Sequence, residues 1–180
     1  MTHLRKLVRN KSVSLVGPSP ILLDKGLGER IDSSDIVIRC GTEWPGCGKA
    51  EDARSDIGFR SDVALITDID LPGLKSISER FDLQLLLYFW GAEPLRWSIL
   101  KRYLKAMEIP FEKGEIVDGL YACTSILWAL AGISTKEIYL AGINYDNSPD
   151  LTVVKELVKD PRMQYADHVL GLSEPQSLPL

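Results

Sequence analysis

The sequence predicts an α/β fold, a single Rossmann-like domain in which a mostly parallel sheet is covered by helices on both faces. Three observations carry this expectation. Short apolar runs rich in β-branched residues alternate with helical patterns along the chain. The runs are nearly continuous rather than alternating, as strands buried on both faces require. At 180 residues the chain fits one domain of ordinary size. Residues 1–172 read as that domain, and 173–180, with Pro175 and Pro179, as a frayed tail.

The first strand is expected over residues 13–16 (VSLV), ended by Gly17-Pro18-Ser19-Pro20. The second covers 36–39, the third 63–67, and the fourth 83–89, whose unbroken apolar run suits a central position. Residues 95–107 predict a helix: Ile99, Tyr103 and Met107 fall four apart, Leu100 and Leu104 share that face, and Arg96, Lys101, Arg102 and Lys105 lie elsewhere. A helix follows over 124–131, stopped by Gly132, then a strand over 137–141 (EIYLA) ended by Gly142, and one more helix over 151–158.

Composition narrows the function. Hydrophobic residues at 45% and charged residues at 26% exclude a disordered or fibrous chain. The net charge of −4 gives no general affinity for nucleic acid, and the one basic stretch, residues 4–11 (LRKLVRNK), reads as a solvated first turn or leading arm. No run approaches the roughly 18 apolar residues of a membrane span, and no apolar segment follows the basic start, so the expected location is cytoplasmic. Cys40, Cys47 and Cys123 include no CxxC and, with two histidines, make no zinc-ligand set. Thiol titration of the denatured, non-reduced protein should therefore count three free thiols. A count of one would show a disulfide and overturn the cytoplasmic expectation.

In such sheets a ligand sits outside the carboxyl ends of the strands, which directs attention to residues 17–20, 39–42, 68–70, 90–93 and 142–146. Gly17 lets the backbone turn tightly and approach a ligand, and Gly17, Ser19 and Ile21 supply N–H donors that Pro18 and Pro20 lack. A plain strand-to-helix connection explains the turn equally well. Arg39, at the end of an apolar strand, needs an anionic partner: a ligand phosphate or carboxylate, or Asp32 or Asp35. Thr124 and Ser125 can cap their helix or receive an anion at its N-terminus.

Residues 13–41, VSLVGPSPILLDKGLGERIDSSDIVIRCG, resemble the large sialylmotif of the sialyltransferases. Order and spacing hold through Gly17, Ser19, Leu27, Gly28, Ile31, Asp32, Asp35 and Arg39, and Asp56-Ile57-Gly58-Phe59-Arg60-Ser61-Asp62-Val63 looks like the closing stretch. Leu120-Tyr121-Ala122-Cys123-Thr124-Ser125, with Lys136-Glu137-Ile138-Tyr139-Leu140-Ala141-Gly142-Ile143, is similar to the small sialylmotif, and closer still to the bacterial enzymes. Tyr165-Ala166-Asp167-His168 matches the bacterial Tyr-x-x-His. The resemblance implies transfer of sialic acid or a related sugar from a CMP-sugar donor to a glycan hydroxyl, without metal or other cofactor. It implies His168 as general base, and Tyr139 and Tyr145 as donors to the departing phosphate, Tyr145 one place off the bacterial pattern. Gly17, Ser19, Arg39, Thr124, Ser125 and Gly142 would hold the nucleotide.

The family's two asparagines correspond here to Pro18 and Gly41, and Ile126 stands where a glycine follows Thr-Ser. Those departures leave a second reading, a non-catalytic nucleotide-binding or partner-binding relative. Asp68-Ile69-Asp70 is a DxD, which opens a third, a metal-dependent transferase of another nucleotide sugar, against ordinary turn and cap duty. Trp44, Trp90 and Trp97 read as core or rim packing, with Trp90 placed to stack on a base or sugar.

Overall fold

The structure is a computed structural model that describes residues 1–41, 54–67, 71–89, 94–117, 120–143, 145 and 148–166. His168, Asp68, Asp70, Trp44, Trp90, Cys47 and the tail lie outside the described residues, as does the side chain of Trp97.

Among the described residues seven helices alternate with seven strands, a helix coming first. The strands are β1 (Ser12–Val16), β2 (Ile36–Cys40), β3 (Val63–Ile66), β4 (Leu85–Tyr88), β5 (Phe111–Lys113), β6 (Glu137–Ala141) and β7 (Met163–Tyr165). The helices are α1 (Thr2–Val8), α2 (Gly28–Asp32), α3 (Arg54–Ile57), α4 (Leu71–Arg80), α5 (Pro94–Ala106), α6 (Ala122–Ala131) and α7 (Leu151–Leu157), with a 3-10 turn at Pro20–Leu22. They form one sheet of order β5-β4-β3-β2-β1-β6-β7. Every neighbouring pair is parallel, so the expected α/β class holds.

Apolar runs form the interior strands because both of their faces are covered. In β3 and β4, Ala64, Ile66, Leu86 and Tyr88 pack with Leu74 and Ile77 of α4 and Leu100 and Leu104 of α5. The alternate residues Val63, Leu65, Leu85 and Leu87 join the larger cluster with Ile126, Leu127 and Leu130 of α6. The fourth strand, expected centrally, is second from an edge, and β2 holds the middle. Its continuous apolarity reflects two covered faces rather than a middle place.

Helix α5 also departs from expectation. Leu100 and Leu104 are fully buried, whereas Ile99 is 48% exposed, so the stripe facing the sheet is narrower than the apolar spacing implied. The basic arm at the start is helix α1, whose Leu4 and Val8 enter the core. Its first turn is held from far along the chain. The Glu112 carboxylate of β5 accepts from the main-chain N–H groups of Thr2, His3 and Leu4, the groups that have no partner within a helix.

Candidate active-site cleft

Strand order reverses at β1. From β1 the chain builds outward through β2, β3, β4 and β5, then returns to lay β6 on the other side of β1. Such a switch point in strand order opens a crevice at the carboxyl ends of the strands. A cleft of about 580 Å³ occupies this position. Its walls come from Ser19 after β1, Thr67 after β3, Gly142 after β6, Tyr121 and Cys123 at the start of α6, and Tyr145.

The two turns are fastened to each other. Gly17 N–H donates to Ala141 O at 2.8 Å and Ser19 N–H to Gly142 O at 3.0 Å. Ile21 N–H turns back to Ser19 Oγ at 3.4 Å. All three donors expected to face an anion are thus engaged within the protein. A methyl group on Gly17 would lie 2.2 Å from Gly142 O, so the glycine serves backbone against backbone. Gly142 has φ +63, and a side chain there would strike Leu22.

The start of α6 is engaged as well. Asp150, fully buried, accepts through Oδ2 from Tyr121 N–H at 2.9 Å and from the Thr124 hydroxyl. Ser125 Oγ accepts from Val117 N–H at 3.1 Å. Thr124 and Ser125 are therefore bonded within the protein, and a carboxylate of the chain already occupies the N-terminal end of the helix, where negative charge is favoured. Asp150 is the residue that sequence reading missed. It stands at the N-cap of α7, where an aspartate reads as the cap of its own helix, yet it makes no side-chain cap bond there. Its second oxygen, Oδ1, and the Tyr145 hydroxyl are buried without hydrogen-bond partners among the described residues.

The fold has counterparts in solved structures. A mammalian sialyltransferase in complex with Gal-beta-1-3GalNAc-ortho-nitrophenol matches 90% of this chain and 71% of its own, at TM-score 0.55 and 14% identity. A second mammalian sialyltransferase structure matches 87% of this chain and 69% of its own, at TM-score 0.54 and 14% identity. The fold is sialyltransferase-like. No family model matches the chain, and no curated protein matches it.

Among the residues that the sialyltransferase resemblance singled out, Ser19, Gly142 and Tyr145 line the cleft. Gly17 packs against the lining Gly142, and Thr124 shares the Asp150 carboxylate with the lining Tyr121. Two residues go elsewhere. Tyr139 is 6% exposed, and the Arg30 guanidinium lies 4.5 Å from its ring centroid, so the tyrosine packs beneath α2 rather than facing a departing phosphate. Arg39 is 2% exposed and donates from Nε to Arg60 O at 2.8 Å and from a terminal nitrogen to Ile57 O at 2.7 Å. Asp32 accepts instead from the N–H groups of Phe59 and Arg60, and Asp35 from Ser12. The ligand role expected for Arg39 gives way to a structural one, the tethering of the α3–β3 connection through carbonyls.

Arg39→Ala should accordingly lower stability by about 2–4 kcal/mol, because buried carbonyls lose charged donors and a cavity opens. Ligand affinity in the cleft should stay within about threefold of the native value. Urea unfolding and calorimetry on the same preparation separate the two effects. An unchanged unfolding midpoint with weakened binding would return Arg39 to the ligand.

Burial pushes the Tyr145 phenol well above the ordinary tyrosine range, against a smaller opposing effect of the Thr124 hydroxyl. The folded protein thus holds this proton more tightly than the unfolded chain does. The stabilising effect is fully present below the unfolded value of about 10 and is lost as pH rises beyond it. Native protein should lose stability between pH 9 and about 11 more steeply than Tyr145→Phe, measured as urea midpoints. Parallel loss in both proteins would remove Tyr145 from the account.

Among the described residues no group of three or more His, Cys, Asp or Glu gathers as for a metal ion, and no helix is long and apolar enough to cross a membrane.

Proposed function

We propose that this chain is a glycosyltransferase of sialyltransferase type, moving sialic acid or a related sugar from a CMP-sugar to a glycan hydroxyl. One observation carries the reading: the cleft opens at the β1–β6 switch point, walled by the sialylmotif-like residues Ser19 and Gly142, in a fold like that of mammalian sialyltransferases. The cytidine and ribose would lie along the mainly apolar wall. Tyr145 stays protonated throughout the physiological range, so its hydroxyl can donate to the phosphate that leaves. His168 would take the proton of the acceptor hydroxyl as that oxygen attacks the sugar, and its pKa range suits the task. The location remains the cytoplasmic one inferred from sequence.

A second reading has a specific observation in its favour. The N–H groups of Gly17, Ser19 and Tyr121 are all bonded within the protein, which is what a relative that binds without catalysing transfer would tolerate. Calorimetry with CMP, CDP and UDP, with and without manganese, followed by release of CMP from CMP-sialic acid in the presence of a glycan, distinguishes the readings. CMP binding without metal, together with transfer, is the expected result. CMP binding without transfer, or no binding at all, would leave the non-catalytic relative. Metal-dependent binding of UDP or CDP would point instead to Asp68 and Asp70.

A further inference from the structure

A second cavity, of about 440 Å³, lies at the amino ends of the strands, where α1 meets the starts of β4 and β5. Leu7 of α1, Leu85 at the start of β4 and Pro110 just before β5 give it an apolar side. His3 and Lys6 of α1, and Lys11 on the way into β1, supply basic groups. Gln84 also lines it, with its amide donating to Asp62 Oδ1 at 2.9 Å. The neighbouring carboxylates are engaged elsewhere. Glu112 accepts from the main chain of α1, and Asp62 from Val37 N–H at 2.8 Å and from Arg60 at 3.0 Å. Asp35 accepts from the N–H and hydroxyl of Ser12; those bonds, and less so the charges of Lys136 and Lys11, lower its carboxyl. Among the described residues His3, Lys6 and Lys11 enter no ion pair, and no carboxylate lines the cavity. Basic groups thus gather beside an apolar hollow without a counter-charge from the protein. A bare anion would leave the apolar side wet, and an uncharged ligand would leave the lysines unanswered.

We propose that this cavity is a binding site for a small amphiphilic anion, an acidic head group carried on an apolar body. Lys6, Lys11 and His3 face the head group, and the body lies against Leu7, Leu85 and Pro110. The volume suits one small molecule, and the chain's net charge of −4 opposes a long polyanion. The site is separate from the cleft. One opens at the amino ends of the parallel strands and the other at their carboxyl ends, so the proposal does not depend on the sugar-transfer reading.

Calorimetry of the full chain with hexyl phosphate, below its micellar concentration, tests the site. Hexyl phosphate should bind saturably, at least about thirtyfold more tightly than inorganic phosphate, since each buried methylene gives roughly a fourfold gain. Hexyl glucoside, with the same tail and no charge, should bind at least about tenfold more weakly than hexyl phosphate. Lys6→Glu combined with Lys11→Glu should weaken hexyl phosphate by at least about tenfold, because two attractive charges become repulsive. Neither lysine is buried, and circular dichroism checks that the double variant folds. Saturating CMP should leave the affinity for hexyl phosphate unchanged. No saturable binding, binding indifferent to the two substitutions, displacement by CMP, or equally tight binding of the glucoside or of inorganic phosphate would each overturn the proposal. Attachment to phosphatidylglycerol vesicles, but not to phosphatidylcholine vesicles, without binding of hexyl phosphate would also overturn it, because the basic face would then meet a lipid surface rather than hold one molecule.

Discussion

Gly17→Ala is expected to lower the free energy of unfolding by about 2–3 kcal/mol and to distort the cleft at the same time. The added methyl would lie 2.2 Å from the carbonyl oxygen of Gly142, and 2.6 Å from a side-chain carbon of Ile143. The nearest atom belongs to the main chain, so no side chain can swing away to make room. Relief requires the β1 and β6 turns to separate, which stretches the bonds from Gly17 to Ala141 and from Ser19 to Gly142. Gly132→Ala is the matched control. Gly132 ends α6 at φ −79, and a methyl there would find nothing closer than 3.5 Å. That change should be neutral, or stabilising by up to about 1 kcal/mol through the unfolded chain. Equal urea midpoints for the two variants would show that the turns are not packed against each other as described.

His168→Ala has the larger expected effect on activity. Under the proposed function it should reduce sugar transfer by about 10²–10⁴-fold while CMP affinity stays nearly unchanged, because a general base acts in the transition state and not in donor binding. The motivation is the Tyr165-x-x-His168 spacing. Tyr165 ends β7, the strand that flanks β6 on the sheet, so the chain leaves β7 at the carboxyl end, the end that carries the cleft. The measurements are CMP release from a CMP-sugar with acceptor, and calorimetry with CMP. Full transfer by His168→Ala would remove it as the base. Equal loss of transfer and of CMP affinity would make it a binding residue.

What could be read from the sequence follows from how local the determining interactions are. Strands β2, β3 and β6 announce themselves because residues such as Ile36, Val37 and Ile38, or Val63, Ala64 and Leu65, are apolar on both faces. Strands β5 and β7 contain only three residues each, with Glu112, Lys113 and Gln164 among them, and are fixed by pairing to β4 and β6. No apolar run marks them. Helix α1 has no local side-chain cap, and the carboxylate that holds its first turn comes from Glu112. The cleft shows the same division. The turn positions after β1 and β6 are visible as Gly17, Ser19 and Gly142, because turns need particular residues. What those positions bind to is not visible. Asp150 reaches Tyr121 and Thr124, and Arg39 reaches Ile57 and Arg60; both pairings exist only once the chain has folded.

Ser12 pairs with Glu137 and Val16 with Ala141, and this register has a consequence for the order of assembly. β1 can join β2 early, since their residues are close in the chain, but its other flank must wait until β6 (Glu137–Ala141), more than 120 residues further on, has been synthesised. Until β6 docks, β1 is an unprotected edge of apolar residues with unpaired main-chain groups, open to strands of other molecules. The crevice cannot exist in that intermediate, because one of its two turns is missing. Refolding should therefore show compaction and helix formation ahead of any ligand recognition, with the β1–β6 ladder closing late, as long-range parallel pairing is slow. Expression at lower temperature should favour recovery of soluble chain by giving that last ladder time to close before neighbouring chains collide.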